Sequence, residues 1–186
     1  MSETRDRILN RLRTNRPLEA PAAETYSKPL GWNREQCISS YTERMQAVRG
    51  EVHLVGRNDW VEWINTEMNA RGLTRGLIGR GATADSFADG ASETISLTRY
   101  DRGIEQWKQQ LFQDIDFSIT GSRAGLAESG SLVLWPDQDE PRLMSLVPPL
   151  HIALLDSERL FENFAQLIEN EAWGRGMPTN ALLISG

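Results

Sequence analysis

Short apolar runs alternate along this chain with stretches in which apolar residues recur every three or four positions, and that alternation predicts an α/β fold. "RILNRLR" carries Ile8, Leu9 and Leu12 at helical spacing on a charged background, which makes a thin amphipathic stripe. Asn33 and Gln36 stand in capping-box register before Cys37, Ile38, Tyr41, Met45 and Val48, so a helix of about four turns is expected from Asn33. "EVHLV" at 51–55 reads as a buried strand, and "NDWVEWINTEMNARG" as a helix capped by Asn or Asp with Val61, Ile64 and Met68 inward. "TRGLIG" (74–79) predicts the next strand, "RGATADSFADG" a loop, "ETISLTRY" (93–100) a strand and "DRGIEQWKQQLF" a helix with Ile104, Trp107 and Leu111 on one side. "DFSIT", "SLVLW" and "HIALL" predict three more strands, the first opening into the loop 120–130 and the second into the turn "PDQDEP". A helix over "DSERLFENFAQLIENEAWG", with Leu160, Phe164, Leu167 and Ile168 inward, precedes a last strand in "NALLISG".

Strands apolar on both faces and alternating with helices predict a mostly parallel sheet covered by helices on both faces. Direct strand-to-strand passages after 128 predict some antiparallel pairing as well. Pro17, Pro21 and Pro29 deny the intervening segment a regular ladder. The expected organisation is therefore an N-terminal helical arm at 1–16, laid on the body or on a partner, a Pro-rich linker at 17–32 and one α/β domain at 33–186.

Composition narrows the function. The 186 residues carry a formal net charge of −6, whereas nucleic-acid binders concentrate cations on one face. No apolar run reaches the roughly 18–20 residues that span a bilayer, and no secretory signal precedes the first helix. Nucleic acid and a membrane span are excluded as expectations, and a cytoplasmic protein is the reading. The single cysteine, Cys37, closes no internal disulfide, and it falls short of the roughly four thiolates of an iron–sulfur cluster. The histidines, His53 and His151, are 98 positions apart with no ligand pattern around them, so no metal site is expected. Of the 20 basic residues all but Lys28 and Lys108 are arginine, a side chain that grips carboxylates with two-point contacts.

In an open α/β sheet the crevice lies beyond the carboxyl ends of the strands, where helix N-termini favour anions. Two loops there are rich in small residues. The first holds Gly79 and Gly81 and matches neither a dinucleotide fingerprint nor a Walker loop. The second gathers Thr120, Gly121, Arg123, Glu128, Ser129 and Gly130 between two apolar strands. A desolvated Glu128 suits acid/base or nucleophilic work, while a structural Glu128 accepts N–H bonds from the turn or pairs with Arg123. "SLVPPLHIALL" delivers His151 at the start of a buried strand, either as a hydrogen-bonding fixture or as part of the site. The chain has no nucleophile elbow for serine hydrolysis.

"DFSITGSRAGLAESGSLVLW" and "PRLMSLVPPLHIALLDSERL" together resemble the lactate-utilization protein C family, the LUD-domain proteins. Glu128, Ser129 and Gly130 match that family's acidic, hydroxyl and glycine positions before an apolar strand. Leu146, Pro148, Pro149, His151 and Ile152 match its Leu-x-Pro-Pro-x-His-Ile-like segment. The resemblance implies a fold similar to the ribose-phosphate isomerase, glucosamine-phosphate deaminase and CoA-transferase group (NagB/RpiA/CoA-transferase-like). It implies a part in oxidising L-lactate to pyruvate beside iron–sulfur partner subunits, with clusters on the partners and no cofactor on this chain alone. Ser185 and Gly186 match the start of a family segment, Ser-Gly-Pro-Ser, beyond which this chain does not continue, so the C-terminal part of the family pattern is expected to be lacking. Three roles stay open: a cluster-free subunit with a small-anion crevice, a stand-alone isomerase- or CoA-transferase-like enzyme using Glu128, and a regulatory anion-binding protein.

Overall fold

The computed structural model describes residues 2–14, 29–173, 176 and 180–185. Residues 17–28 of the linker expected at 17–32, and Gly186, lie outside the described residues. Helix α1 (Ser2–Thr14) is the N-terminal arm, and α2 (Arg34–Ala47) begins at the expected capping box: Asn33 accepts from the Gln36 N–H while the Gln36 side chain accepts from the Asn33 N–H. Helix α3 (Trp60–Arg71) buries Ile64 and Met68 and ends at Gly72, whose φ of 68° closes the last turn in the left-handed conformation. Asp59 precedes α3 without a side-chain cap.

Strands β1 (Arg75–Ile78), β2 (Ser96–Arg99), β3 (Phe117–Gly121) and β6 (Leu150–Leu154) form a parallel sheet in the order β2-β1-β3-β6. Its two faces follow from strand alternation. Ile78 and Ile119 point to the α3 side, where they pack with Phe87 of α4 (Ala82–Gly90). Leu77 points to the other side and packs with Leu111 of α5 (Lys108–Gln113) and Met144 of the one-turn helix α6 (Leu143–Leu146). Helices thus cover both faces. At the amino edge the Asp116 carboxylate accepts from the Thr74 and Arg75 N–H groups and from the Arg75 guanidinium. These partners, Arg75 first, hold Asp116 below the usual carboxylate range and fix where β1 and β3 begin.

A second sheet departs from the single one expected. Strands β4 (Ala124–Leu126), β5 (Ser131–Leu134), β7 (Leu160–Phe161) and β8 (Leu182–Ile184) pair in the order β7-β4-β5-β8, with β4–β5 and β5–β8 antiparallel and β4–β7 parallel. The chain passes between sheets just after β3. There the Ser122 hydroxyl donates to the Leu154 carbonyl at 2.7 Å, and the Arg123 N–H donates to the Val133 carbonyl at 2.8 Å. Helix α7 (Phe164–Glu171) buries Leu167 against Ala124, Leu126 and Val133, while α2 presents Cys37 and Tyr41 to the opposite face. Gly125 permits that approach, because a Cβ there would stand 2.8 Å from Leu160 Cδ1 and 3.3 Å from the Tyr41 ring. The architecture is an α/β fold of mixed parallel and antiparallel sheets flanked by helices.

Several expectations are corrected. Residues 51–55 are not a strand: the segment has no sheet partner among the described residues, Leu54 is 76% exposed, and the His53 ring lies tilted against Trp63 with centroids 4.4 Å apart. "RGATADSFADG" is largely helical rather than a loop, with Ala84 and Phe87 at helical spacing in the core. Strand β4 lies within the loop expected at 120–130, and the one-turn helix α6 lies in a stretch for which no element is expected. The helix expected from 156 begins only at Phe164, after a 3₁₀ turn at Ser157–Arg159 and β7, which places Leu160 in a strand. Phe164 and Ile168 face outward rather than into the core. Among the described residues no helix is long and apolar enough to cross a membrane.

Phe87 is fully buried on a helix that the hydrophobic pattern alone conceals. Phe87→Ala is expected to cost about 3–5 kcal/mol in urea unfolding, against less than about 1 kcal/mol for the exposed Phe112→Ala. Equal costs would mean that α4 does not pack as described.

Candidate functional site

Parallel pairing puts the ends of β1 and β3 at one carboxyl edge, with Ile78 opposite Ile119. Gly79, Thr120 and Gly121 meet there, and Gly81, with φ of 87°, turns the chain into α4. The edge is not open. The acidic turn after β5 folds across it: the Arg80 N–H donates to the Asp139 carbonyl at 2.9 Å, and a Cβ on Gly79 would overlap that carbonyl. Asp137 shapes the turn, its carboxylate accepting from the Asp139 and Glu140 N–H groups at 2.7 and 2.9 Å.

Glu140 completes the closure. Its carboxylate oxygens lie 2.9 and 3.0 Å from the Gly121 N–H, which would otherwise project past the end of β3. Burial pushes the Glu140 carboxyl above the usual range; the Gly121 N–H works in the opposite direction, and the nearby Asp137 and Asp139 add to the rise. A small cleft beside it is lined by Thr120, Gly121, Trp135, Glu140, Arg142 and Ser145.

Thr120, which lines this cleft, belongs to a polar row on one face of β3 and β6. Ser118 pairs with His151 across β3 and β6, and Thr120 follows on the same face by strand alternation. Ser118 donates to the Met144 carbonyl at 2.6 Å, anchoring α6. Thr120 Oγ1 and His151 Nε2 share a hydrogen bond of 2.8 Å. Desolvation pushes the His151 imidazole down to about 4, so the ring is neutral near pH 7. A neutral imidazole bonded to a hydroxyl beside a half-buried carboxyl can exchange protons with, or orient, a small oxygen-bearing ligand.

The other expected residues gather elsewhere. Glu128, Ser129 and Gly130 form the tip of the β4–β5 hairpin, where the Ala127 and Glu128 N–H groups donate to the Phe161 and Glu162 carbonyls at 2.8 Å. Gly130, with φ of 62°, lies against Arg44 of α2. Ser129 and Ser131 share a hydroxyl bond of 2.7 Å, and extending the β5–β8 register brings Ser185 opposite Ser131. The Glu128 side chain is exposed. Arg123 pairs with Glu171, which also binds Arg159, and lies over the Trp135 ring at 4.7 Å. The expected set thus separates into a sheet rim (Gly79, Gly81, Thr120, Gly121, His151), a hairpin tip (Glu128, Ser129, Gly130, Ser185) and Arg123 between them.

Sequence reasoning missed Glu140, Arg142 and Ser145. The available signal was three acids in four residues between Pro136 and Pro141, too charged a cluster for an ordinary turn over a sheet edge. Among the described residues no group of three or more His, Cys, Asp or Glu is arranged to hold a metal ion.

Comparison with known proteins places these features in a family. The model of the LUD domain matches residues 38–186. An uncharacterized protein of Neisseria meningitidis serogroup B is 33% identical over 183 residues, covering 91% of this chain and 76% of that protein. Lactate utilization protein C of Oceanobacillus iheyensis is 27% identical over 99 residues, 51% of this chain and 42% of its own. The crystal structure of a DUF162 family protein from Deinococcus radiodurans superposes with a TM-score of 0.66 at 19% identity, covering 83% of this chain and 89% of that one, a likeness of fold.

The His151 environment has a defined pH consequence. The unfolded chain takes up this proton near pH 6.5, whereas the folded protein resists until about 4. Stability from His151 is therefore full above pH 6.5 and lost as pH falls toward 4, by up to about 3 kcal/mol. Urea unfolding between pH 7 and pH 4 is expected to show this loss in the wild type and to lack it in His151→Gln.

Proposed function

Because the chain belongs to the LUD-domain family, we propose that it is a cytoplasmic subunit of L-lactate utilization that holds a small carboxylate, L-lactate or pyruvate, at the sheet rim. In this reading the chain carries no cluster of its own, and electrons from lactate oxidation pass to iron–sulfur partner subunits. The name of the Oceanobacillus relative supports the pathway. The single Cys37, buried on α2 among Tyr41 and Ala127, supports clusters on partners.

The observation that carries the ligand class is the Glu140 carboxylate on the Gly121 N–H. The rim already holds a carboxylate, so its donor geometry suits one. An incoming acid takes over that donor, Arg142 supplies the countercharge, and the Thr120–His151 pair faces the hydroxyl or keto oxygen. Two carboxylates sharing so small a space do not both stay ionised, so Glu140 takes up a proton as the ligand binds.

Calorimetric titration in buffers of different ionisation enthalpy tests this. Binding of L-lactate or pyruvate is expected with net proton uptake and with affinity that rises as pH falls. Glu140→Gln is expected to tighten binding about tenfold, roughly 1.4 kcal/mol, and to flatten the pH profile. Absence of saturable binding in both proteins, together with unimpaired growth on lactate after deletion and no cluster-bearing partners on purification, would overturn the proposal.

A second reading, a stand-alone isomerase- or CoA-transferase-like enzyme, rests on the gathering of Glu128, Ser129, Gly130 and Ser185 at the hairpin tip. Glu128→Gln separates the two. It is expected to leave folding and rim binding unchanged, whereas turnover of an acyl-CoA or sugar phosphate that this variant abolishes would favour the enzyme.

A further inference from the structure

Among the described residues no element covers one face of α2. Glu35, Ile38, Thr42, Glu43 and Gln46 recur along it at helical spacing and line a groove of about 650 Å³, closed on its far side by Leu54. Leu54 is 76% exposed, an unusual position for a leucine in a segment with no sheet partner. No lysine or arginine lines the groove, and both of its charges are negative.

Helix α1 has the complementary pattern. Ile8 and Leu12 are 55% and 64% exposed, one turn apart on the same face. At 100° per residue Arg5 falls within the stripe of Ile8, Leu9 and Leu12, Arg11 and Arg13 flank it on either side, Asp6 points within about 20° of Arg13, and Arg7 lies on the far side. Arg5 and Arg13 are separated by the same eight residues, about 12 Å of helix, as Glu35 and Glu43. Laid antiparallel on α2, α1 brings Arg13 to Glu35 and Arg5 to Glu43, with Ile8 and Leu12 against Ile38 and Leu54.

We propose that α1 of one copy of this chain seats in the α2–Leu54 groove of a second copy, and that the exchange is reciprocal. Among the described residues both surfaces stay open, and a second copy supplies each with a complementary partner. Reciprocal exchange about a two-fold axis makes the contact twice over, which matters because one thin apolar stripe binds weakly. The inference concerns a surface apart from the sheet rim and stands or falls independently of the lactate reading.

Sedimentation of the full chain across a wide concentration range tests it. The wild type is expected to dimerise reversibly, and Ile8→Glu with Leu12→Glu, or Leu54→Glu alone, is expected to raise the dimer Kd at least about tenfold. Two charge-reversed chains give the decisive arm: Arg5→Glu with Arg13→Glu in one, Glu35→Arg with Glu43→Arg in the other. Each is expected to be monomeric alone and to form a heterodimer on mixing, with unchanged circular dichroism and Tm because every substituted side chain is exposed. A strictly monomeric wild type, including one whose arm folds back onto its own groove, overturns the proposal. So does a dimer indifferent to these substitutions, or failure of the mixed chains to pair.

Discussion

The structure depends on one strand that is hydrogen-bonded on both sides and buried on both faces. Strand β3 pairs with β1 and β6 in the first sheet, and Phe117, Ser118, Ile119 and Thr120 are each at most 3% exposed. Its neighbour must yield space, which is why position 76 is a glycine: a Cβ there would stand 2.8 Å from the Phe117 ring. Three residues past its end the same chain becomes β4 of the second sheet. The sheets are therefore tied by a short continuous path of chain, and displacing β3 would disturb the apolar cluster that holds Phe117 and Ile119.

That path explains what was legible in the sequence. The strands at 75–78, 117–121, 131–134 and 150–154 are covered on both faces, and burial of that kind leaves short, largely apolar runs even where one face carries Ser118, Thr120 and His151. Helix α2 was legible because capping residues and spacing agreed, and α3 from its spacing, since Asp59 forms no side-chain cap. Helix α4 was not: Thr83, Ser86 and three glycines near its ends look like loop, and only Ala84 and Phe87 face the core. Residues 51–55 erred in the opposite direction, since Val52, Leu54 and Val55 have strand propensity but no neighbouring strand to complete a ladder. Propensity describes what a segment tolerates, while pairing decides what it becomes.

The site was half legible for a related reason. Gly79, Thr120 and Gly121 could be placed together because parallel strands bring their carboxyl ends to one edge, a property of topology, whereas His151 lies at the start of β6 and reaches Thr120 only through its side chain. Glu140 could not, since it reaches the edge through a turn whose course depends on Asp137 bonding two N–H groups. The resulting arrangement is an internal anion on a main-chain donor. It satisfies the Gly121 N–H at the end of β3, and burial raises the pKa of the carboxyl.

Glu128 stands before a core strand because its backbone, more than its side chain, belongs to the fold. The Ala127 and Glu128 amides latch the hairpin to the strand at 160–161, and Gly130 takes the positive φ that lets the tip close on α2. Such a turn needs a solvated residue at its apex, and a carboxylate meets that need without further chemistry. The rim, by contrast, departs from what folding alone requires. A histidine, two hydroxyls and a carboxyl are packed where aliphatic side chains would fill the sheet face and strand edge at less desolvation cost. Polar groups kept in so apolar a setting are better explained by ligand chemistry than by stability, which is why the rim rather than the hairpin tip carries the functional reading.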